Sequence, residues 1–488
     1  MTRAGARHAV QDPRCSRTWS MAAVLGLAFL GACATNPVTG ERQLALISEE
    51  QEIELGRAAA AEIPETIGLV EDEALQSYVS QVGLALARKS ERPELPWSFA
   101  VVDDPTPNAF ALPGGFIFIT RGMLNLMNSE AELAAVLGHE IGHVTARHSV
   151  TQISQQQLAQ LGLWIGGILV PEIQPFGQAL GAGLQLLFLK HGRDAERQSD
   201  QLGFRYALNQ GYDVSEMADV FSSLERAGGE ERSALPAWLT THPSPGARVE
   251  QVQQWISELP PGKRGTRVGQ AEYLDRIDGL IYGKNPRQGF FREGVFFHPD
   301  LRFRFDVPSG WAGQNLSHAV QAISPNRDAA VQLTLAPGEP QAAAQQFFAQ
   351  QGVRALQSSR QPINGLPAIV TMFDVMTQQG QLRGLVAHVS HTGRTYQILG
   401  YSAADRFGSY RRVFEQVIGS FRPVTDASIL NVQPQRIDIV RIARPMPLSE
   451  FARQYDSAIP IEELALINQV EGAGATLPAN SLVKRVVG

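Results

Sequence analysis

Two histidines four residues apart, with a glutamate beside the first, are the residues of this chain best spaced to do chemistry: His139-Glu140-Ile141-Gly142-His143. Four residues along an α-helix advance about 400° and about 6 Å, so both imidazoles leave one face a turn apart. That geometry suits two corners of a zinc tetrahedron, with Glu140 on the adjacent stripe placed to take a proton from a metal-bound water. Short patterns also arise by chance, and the competing reading is a buried helix carrying two ordinary histidines. A third candidate ligand comes from Glu196, one turn before Asp200 on a helix expected to run to Asn209 and stop at Gly211. Glu196 would bind the metal, while Asp200 would accept the outer N–H of a ligating histidine, His139 foremost, and so fix its tautomer. Alone, Glu196, Arg197 and Asp200 read as a solvated charged face. Joined to the histidine pair, they favour a metal site with one Zn2+ per chain.

The chemistry follows from that ligand set. Zinc with three protein ligands keeps an open position for water, whose pKa falls toward about 7. Glu140 would deprotonate that water for attack on a peptide carbonyl and pass the proton to the leaving amine. No Ser-His-Asp order or reactive cysteine competes.

The flanking sequence must hold these groups. Ser129 and Glu132 fit a capping box, and Leu133, Val136, Leu137, Ile141 and Val144 make an apolar stripe beside the histidines. Gly138 and Gly142 each cost about 1 kcal/mol in a helix interior, which suggests that another chain, such as substrate, approaches closely. Residues 99–102 and 109–120 read as strands around a Pro113-Gly114-Gly115 turn. A strand edge there could hold an extended peptide, and Asn108 could donate to the peptide or its oxyanion, or serve only the turn. His242 lies in a Pro-rich loop, where it could stabilise the oxyanion, act as a fourth ligand that keeps the site latent, or cap the helix starting near Gly246.

Four separated motifs occur in order: 108–115, 139–143, 193–203 and Thr241-His242-Pro243 through Arg248. Over roughly 36–259 the chain resembles the HtpX and CAAX-prenyl-protease family of gluzincin metallopeptidases, in its soluble bacterial periplasmic branch. The resemblance implies zinc on His139, His143 and Glu196, with Glu140 as catalytic base. It also places Asn108 and His242 near the scissile carbonyl or over the metal. A metzincin site is ruled out by Ala146 and Ser149, where a glycine and a third histidine would be needed, so His148 is expected to be structural.

Arg3, Arg7, Arg14 and Arg17 precede an apolar run at 21–30 that is too short to span a bilayer, then Leu30-Gly31-Ala32-Cys33. This resembles a bacterial lipoprotein signal, implying cleavage before Cys33, a lipid on its thiol, and a periplasmic location on the inner face of a Gram-negative outer membrane. Of the 2 cysteines, Cys15 would leave with the signal and Cys33 become the anchor, so no disulfide is expected. Removing 1–32 leaves 38 basic against 47 acidic residues, which argues against nucleic acid as a partner. Two apolar stretches, 158–170 and 179–189, are also too short to span and read as a helical hairpin or flap near the cleft.

The expected fold class is α+β. A mostly helical metallopeptidase domain with a small β-sheet (33–265) follows the signal (1–32). A linker (266–288) leads to an α+β sandwich-like domain (289–425) that resembles the photosystem PsbP fold, with a hairpin turned at Thr392-Gly393-Arg394. A small βααβ module (430–488) resembles LysM, although Arg444-Pro445-Met446-Pro447 replaces the usual Gly-Asp-Thr. The resemblances together imply a periplasmic endopeptidase acting on envelope polypeptides in quality control, with a peptidoglycan contact through 430–488. The other reading is an assembly factor or wall-binding scaffold with a latent peptidase site.

Overall fold

Ser129 accepts the N–H of Glu132 at 3.1 Å and starts the helix around which the first half of the chain is built. The computed structural model describes residues 33–165, 191–228, 238, 242, 245–377 and 380–488. The expected signal (1–32) and most of the two apolar stretches at 158–170 and 179–189 lie outside them. Two short paired strands, β1 (Cys33–Thr35) and β2 (Arg42–Leu44), precede helices α1 (Glu49–Thr66) and α2 (Glu73–Ala87). A three-stranded sheet follows, with β3 (Ser98–Val102) parallel to β5 (Phe116–Thr120) and β4 (Ala109–Leu112) antiparallel to β5 at its edge. Next come α3 (Arg121–Leu126), α4 (Glu130–Thr145), α5 (His148–Ile165), α6 (Arg193–Asn209), α7 (Glu216–Ala227), α8 (Pro245–Glu258) and α9 (Gln270–Ile277).

Helix α4 is buried at every position, so the expected one-sided apolar stripe is in fact a helix enclosed all round. The expected capping box is displaced by one residue. Ser129 caps as anticipated, but the Glu132 carboxylate accepts the N–H of Asn128, at 2.9 Å, instead of that of Ser129. At its far end, Arg92 donates to the carbonyl of Val144 at 2.9 Å, a favourable place for a cation. Arg92 and Arg147 share the buried carboxylate of Glu52 on α1, tying that helix to the end of α4. Part of the segment expected as a linker (266–288) packs on this core. Tyr273, Leu274 and Ile277 are fully buried in it, and Ala131 donates to the Val268 carbonyl at 3.0 Å.

Beyond that point two sheets pack together. Seven antiparallel strands run in the order Val353–Arg360, Ala368–Thr377, Gly380–His391, Arg394–Ala403, Ala329–Ala336, Ala319–Ile323 and Ala312–Asn315. The hairpin between Gly380–His391 and Arg394–Ala403 turns at Thr392 and Gly393, both with positive φ, as a two-residue turn with right-handed strand twist requires. A four-stranded sheet made of Phe290–Arg292, Val295–His298, Phe303–Asp306 and Arg422–Pro423 shares a core with one face of the large sheet and helix Phe407–Ser420. Helix Pro340–Phe348 packs Phe347 against Phe373 and Val386 on the other face. The chain ends in a βααβ unit: strand Arg436–Arg441 pairs antiparallel with Leu482–Val487, with helices Leu448–Gln454 and Ile461–Ile467 between them.

Candidate metal centre

Helices α4 and α6 meet through glycine. A Cβ at Gly203 would stand 2.7 Å from the backbone nitrogen of His139, and one at Gly138 would stand 3.0 Å from the Cα of Gly203. One turn along, a Cβ at Gly142 would lie 3.0 Å from the Cα of Ser199. The chain that comes close to Gly138 and Gly142 is therefore α6, where substrate had been anticipated. Backbone contact between the two helices is what brings Glu196 opposite His139 and His143.

The ligand atoms of His139, His143, Glu196 and His242 all lie within 4.8 Å of one another, and all four residues are buried. His139 Nε2 is 3.0 Å from His143 Nε2 and 3.2 Å from His242 Nδ1. Glu196 places Oε1 at 3.3 Å from His143 Nε2 and Oε2 at 3.6 Å from His139 Nε2, and both its oxygens lie 3.0 Å from His242 Nδ1. Bonds of about 2.0–2.1 Å to nitrogen and oxygen give tetrahedral edges of roughly 3.3 Å, so these separations fit a single zinc ion.

The outer faces of the imidazoles decide which nitrogens are available. His139 Nδ1 donates to Asp200 Oδ1 at 2.8 Å, which leaves its Nε2 as a lone pair facing the cluster. Asp200 is itself held by Arg248, whose Nε donates to Oδ2 at 2.8 Å and whose guanidinium lies 3.9 Å over the Phe221 ring. For His143 the partner is His148. The Nε2 of His148 donates to Gln198 Oε1 at 2.9 Å, so its Nδ1 is an acceptor, and His143 Nδ1–H donates to it at 3.0 Å. His143 Nε2 is then also a lone pair aimed inward. Two such lone pairs 3.0 Å apart call for a cation between them. Replacing His148 with alanine should weaken zinc binding by about 10–100-fold, as loss of an outer partner does. Competition with a chromophoric chelator measures this, and an unchanged affinity would remove His148 from the site.

Sequence reasoning left Arg248 without a role, treated His148 only as structural, and did not single out His191, whose ring stacks on His143 at 4.1 Å. The signal for His148 was its own spacing: five residues after His143, it falls just past the end of α4, where the chain turns back at Arg147 with φ 59°. The His242 N–H donates to the Trp238 carbonyl at 2.7 Å, and its ring stacks on the indole at 4.0 Å. Its imidazole therefore lies in the cluster and does not cap α8. Asn108 stands just before β4, its backbone locked to Thr120, and its buried Oδ1 has no hydrogen-bond partner among the described residues. It makes no hydrogen bond to the four-residue cluster.

Residues 73–256, which span α2 through most of α8, match the profile of Peptidase family M48. Over that stretch the chain is similar to the M48 peptidases. Curated relatives cover the same region. The mitochondrial metalloendopeptidase OMA1 of Schizosaccharomyces pombe is 31% identical over 46% of this chain and 66% of that protein. The β-barrel assembly-enhancing protease of Escherichia coli strain K12 is 25% identical over 48% of this chain and 50% of that one, and its Yersinia pestis counterpart is 27% identical over 46% and 48%. The chain thus spans about half to two thirds of the length of these relatives. Among solved structures, cyanobacterial PsbP from Synechocystis sp. PCC 6803 is matched at 16% identity over 26% of this chain and 91% of that one, with a TM-score of 0.24. The matched stretch is similar to metalloendopeptidases, which use a metal, typically zinc.

Burial sets the electrostatics of the four-residue cluster and of Glu140. It lowers His139 to about 4, aided by the Arg248 charge, and drives His143 well below the ordinary imidazole range, so both are neutral donors. Burial opposes ionisation of Glu196, but His242 and His143 outweigh it and hold the carboxylate far below its usual range. His242 is likewise disfavoured as a cation by burial, yet Glu196 raises it overall. Glu140 is pushed up to about 7 by burial, partly offset by His242. Its Oε1 is buried, 3.6 Å from His242 Nε2, and has no hydrogen-bond partner among the described residues.

Proposed function

We propose that the chain is a zinc-dependent endopeptidase of bacterial envelope proteins. In this reading His139, His143 and Glu196 hold the metal, Glu140 is the general base, and His242 closes the resting site as a fourth donor. The observation that carries it is the buried four-donor cluster beside a Glu140 oxygen that has no hydrogen-bond partner among the described residues. Bound zinc would supply a Lewis acid that polarises the scissile carbonyl and acidifies water. Glu140 Oε1 takes the proton of the attacking water and returns it to the amine nitrogen as the C–N bond breaks. Asp200 and His148 hold the two imidazoles in one tautomer throughout. The backbone of Ala111 on β4 lies beside Glu140 and favours its ionised form, which sets the base against the sheet edge where an extended peptide would pair.

The envelope assignment is supported by the bacterial relatives, which are named for β-barrel assembly, and by the Leu30-Gly31-Ala32-Cys33 sequence. Among the described residues no helix is long and apolar enough to cross a membrane. The proposal includes a lipid on Cys33, a place on the periplasmic side of the outer membrane, quality-control cleavage of polypeptides there, and a glycan contact through 430–488. The presence of His242 within the cluster favours a second element, a resting enzyme that must open. It equally suits an assembly scaffold whose peptidase stays shut.

Zinc-loaded protein mixed with an unfolded outer-membrane polypeptide separates the two. Cleavage should stop with 1,10-phenanthroline and return with zinc, and His242→Ala should cleave faster than wild type. If neither protein cleaves, the scaffold reading replaces the hydrolase. A slower His242→Ala variant would return His242 to an oxyanion role.

A further inference from the structure

The last strand of the chain carries a lysine with no exposed surface. Lys484, on Leu482–Val487, is 0% exposed, and its ammonium donates to the carbonyls of Asn125 at 2.8 Å and Met127 at 2.9 Å. Those carbonyls close α3 and lead directly into the cap of α4, the helix that bears His139, Glu140 and His143. Helix C-terminal carbonyls lack intrahelical donors and attract cations, so the ammonium both satisfies and anchors them.

Neighbouring residues of the βααβ unit grip the same short segment. Gln469 donates to the Glu132 carboxylate at 2.8 Å and to the Leu126 carbonyl at 3.4 Å. The Ile467 carbonyl accepts from Asn128 Nδ2 at 3.0 Å. Asn468 fixes the strand itself, accepting from Lys484 N and donating to Lys484 O, each at 2.8 Å. Leu466 belongs to the core of the M48 domain. Burial pushes the Glu132 carboxyl up and the Lys484 ammonium down, and each is the opposite charge that partly offsets the cost for the other.

Glu132 sits in the first turn of α4, seven residues before His139, and two turns of helix bring the two back to nearly one face. A stiff helix carries any shift at 125–132 to the histidine. We propose that Lys484 and Gln469 are positioning residues of the peptidase, and that the C-terminal βααβ unit clamps the start of the catalytic helix. The peptidase part of this statement rests on the function proposed above. A glycan contact by the same unit would have to use a face other than this one.

The test compares full-length, zinc-loaded wild type and Lys484→Met by amide hydrogen exchange and by steady-state cleavage. Exchange within 130–145 should quicken about tenfold as that helix opens locally. The kcat should fall about tenfold or more with KM nearly unchanged, because misplaced groups impair the chemical step more than the binding of substrate. A folded Lys484→Met with unchanged exchange in 130–145, or with faster exchange confined to 430–488, overturns the clamp. So does an unchanged kcat. If Lys484→Met fails to fold, Gln469→Ala removes only the amide to Glu132 and Leu126, and the same two readouts apply with a smaller shift. Should wild type hydrolyse nothing, the peptidase reading fails, while the exchange pattern still decides the clamp.

Discussion

Glu140→Gln is expected to lower turnover by about 10²–10⁴-fold, the usual worth of a general base, while fold and zinc content stay intact. Glu140 is 1% exposed and lies outside the four-donor cluster, so an amide of equal shape disturbs neither packing nor metal. What it removes is the basic carboxylate whose Oε1 has no donor among the described residues. The same residue sets the pH dependence. Burial raises its carboxyl to about 7, and a protonated Glu140 cannot accept from water. Activity is therefore lost as pH falls through that value, with the midpoint moved downward by a bound dication. In Glu140→Gln the residual rate should lose this acid limb. A variant that keeps more than about a tenth of wild-type kcat, measured with matched zinc content, would take Glu140 out of the chemistry.

The second large effect comes from a residue that touches no substrate. Gly203→Val should unseat α6 from α4 and cost zinc affinity more than tenfold, together with about 1–3 kcal/mol of stability from overpacking. The new side chain would meet the backbone nitrogen of His139 at 2.7 Å and the backbone of Gly138 at 3.0 Å. Backbone on both sides cannot turn away as a long side chain can, so the helices must part. Glu196, two turns back along α6, then draws away from His139 and His143. Gly192→Ala is the control, because no described residue lies within 4 Å of a Cβ there. Thermal melts and zinc titration of the two variants check this, and normal zinc binding by Gly203→Val would sink it.

These cases show which features could be read in the sequence. The histidine pair is legible because its chemistry lies in one helical turn, and Glu196 with Asp200 repeats that spacing. The turn at Thr392-Gly393 and the order of elements in the βααβ unit are equally local. The partner of the α4 glycines was not legible, since nothing in periodicity says whether a helix or a substrate fills a gap. Nor was the pairing of His143 with His148, which requires the chain to turn at Arg147 and Gln198 to arrive from α6. Residues 266–288 read as a linker because one short helix shows little pattern, and the burial of Tyr273 is decided by contacts far along the chain. A helix enclosed on all sides, such as α4, also hides its own environment, because it lacks a wet face to mark the dry one.

One consequence follows from counting the formal charges enclosed around the four donors. Glu140, Glu196 and Asp200 contribute three negative charges and Arg248 one positive, all of them buried. A divalent ion brings this interior to electroneutrality, whereas a monovalent or trivalent one would leave an uncompensated charge in a poorly polarisable medium. A neutral His242 can then be exchanged for water without altering that sum. Such an exchange carries no electrostatic penalty from net charge, and its barrier is left to the stacking of the imidazole on Trp238.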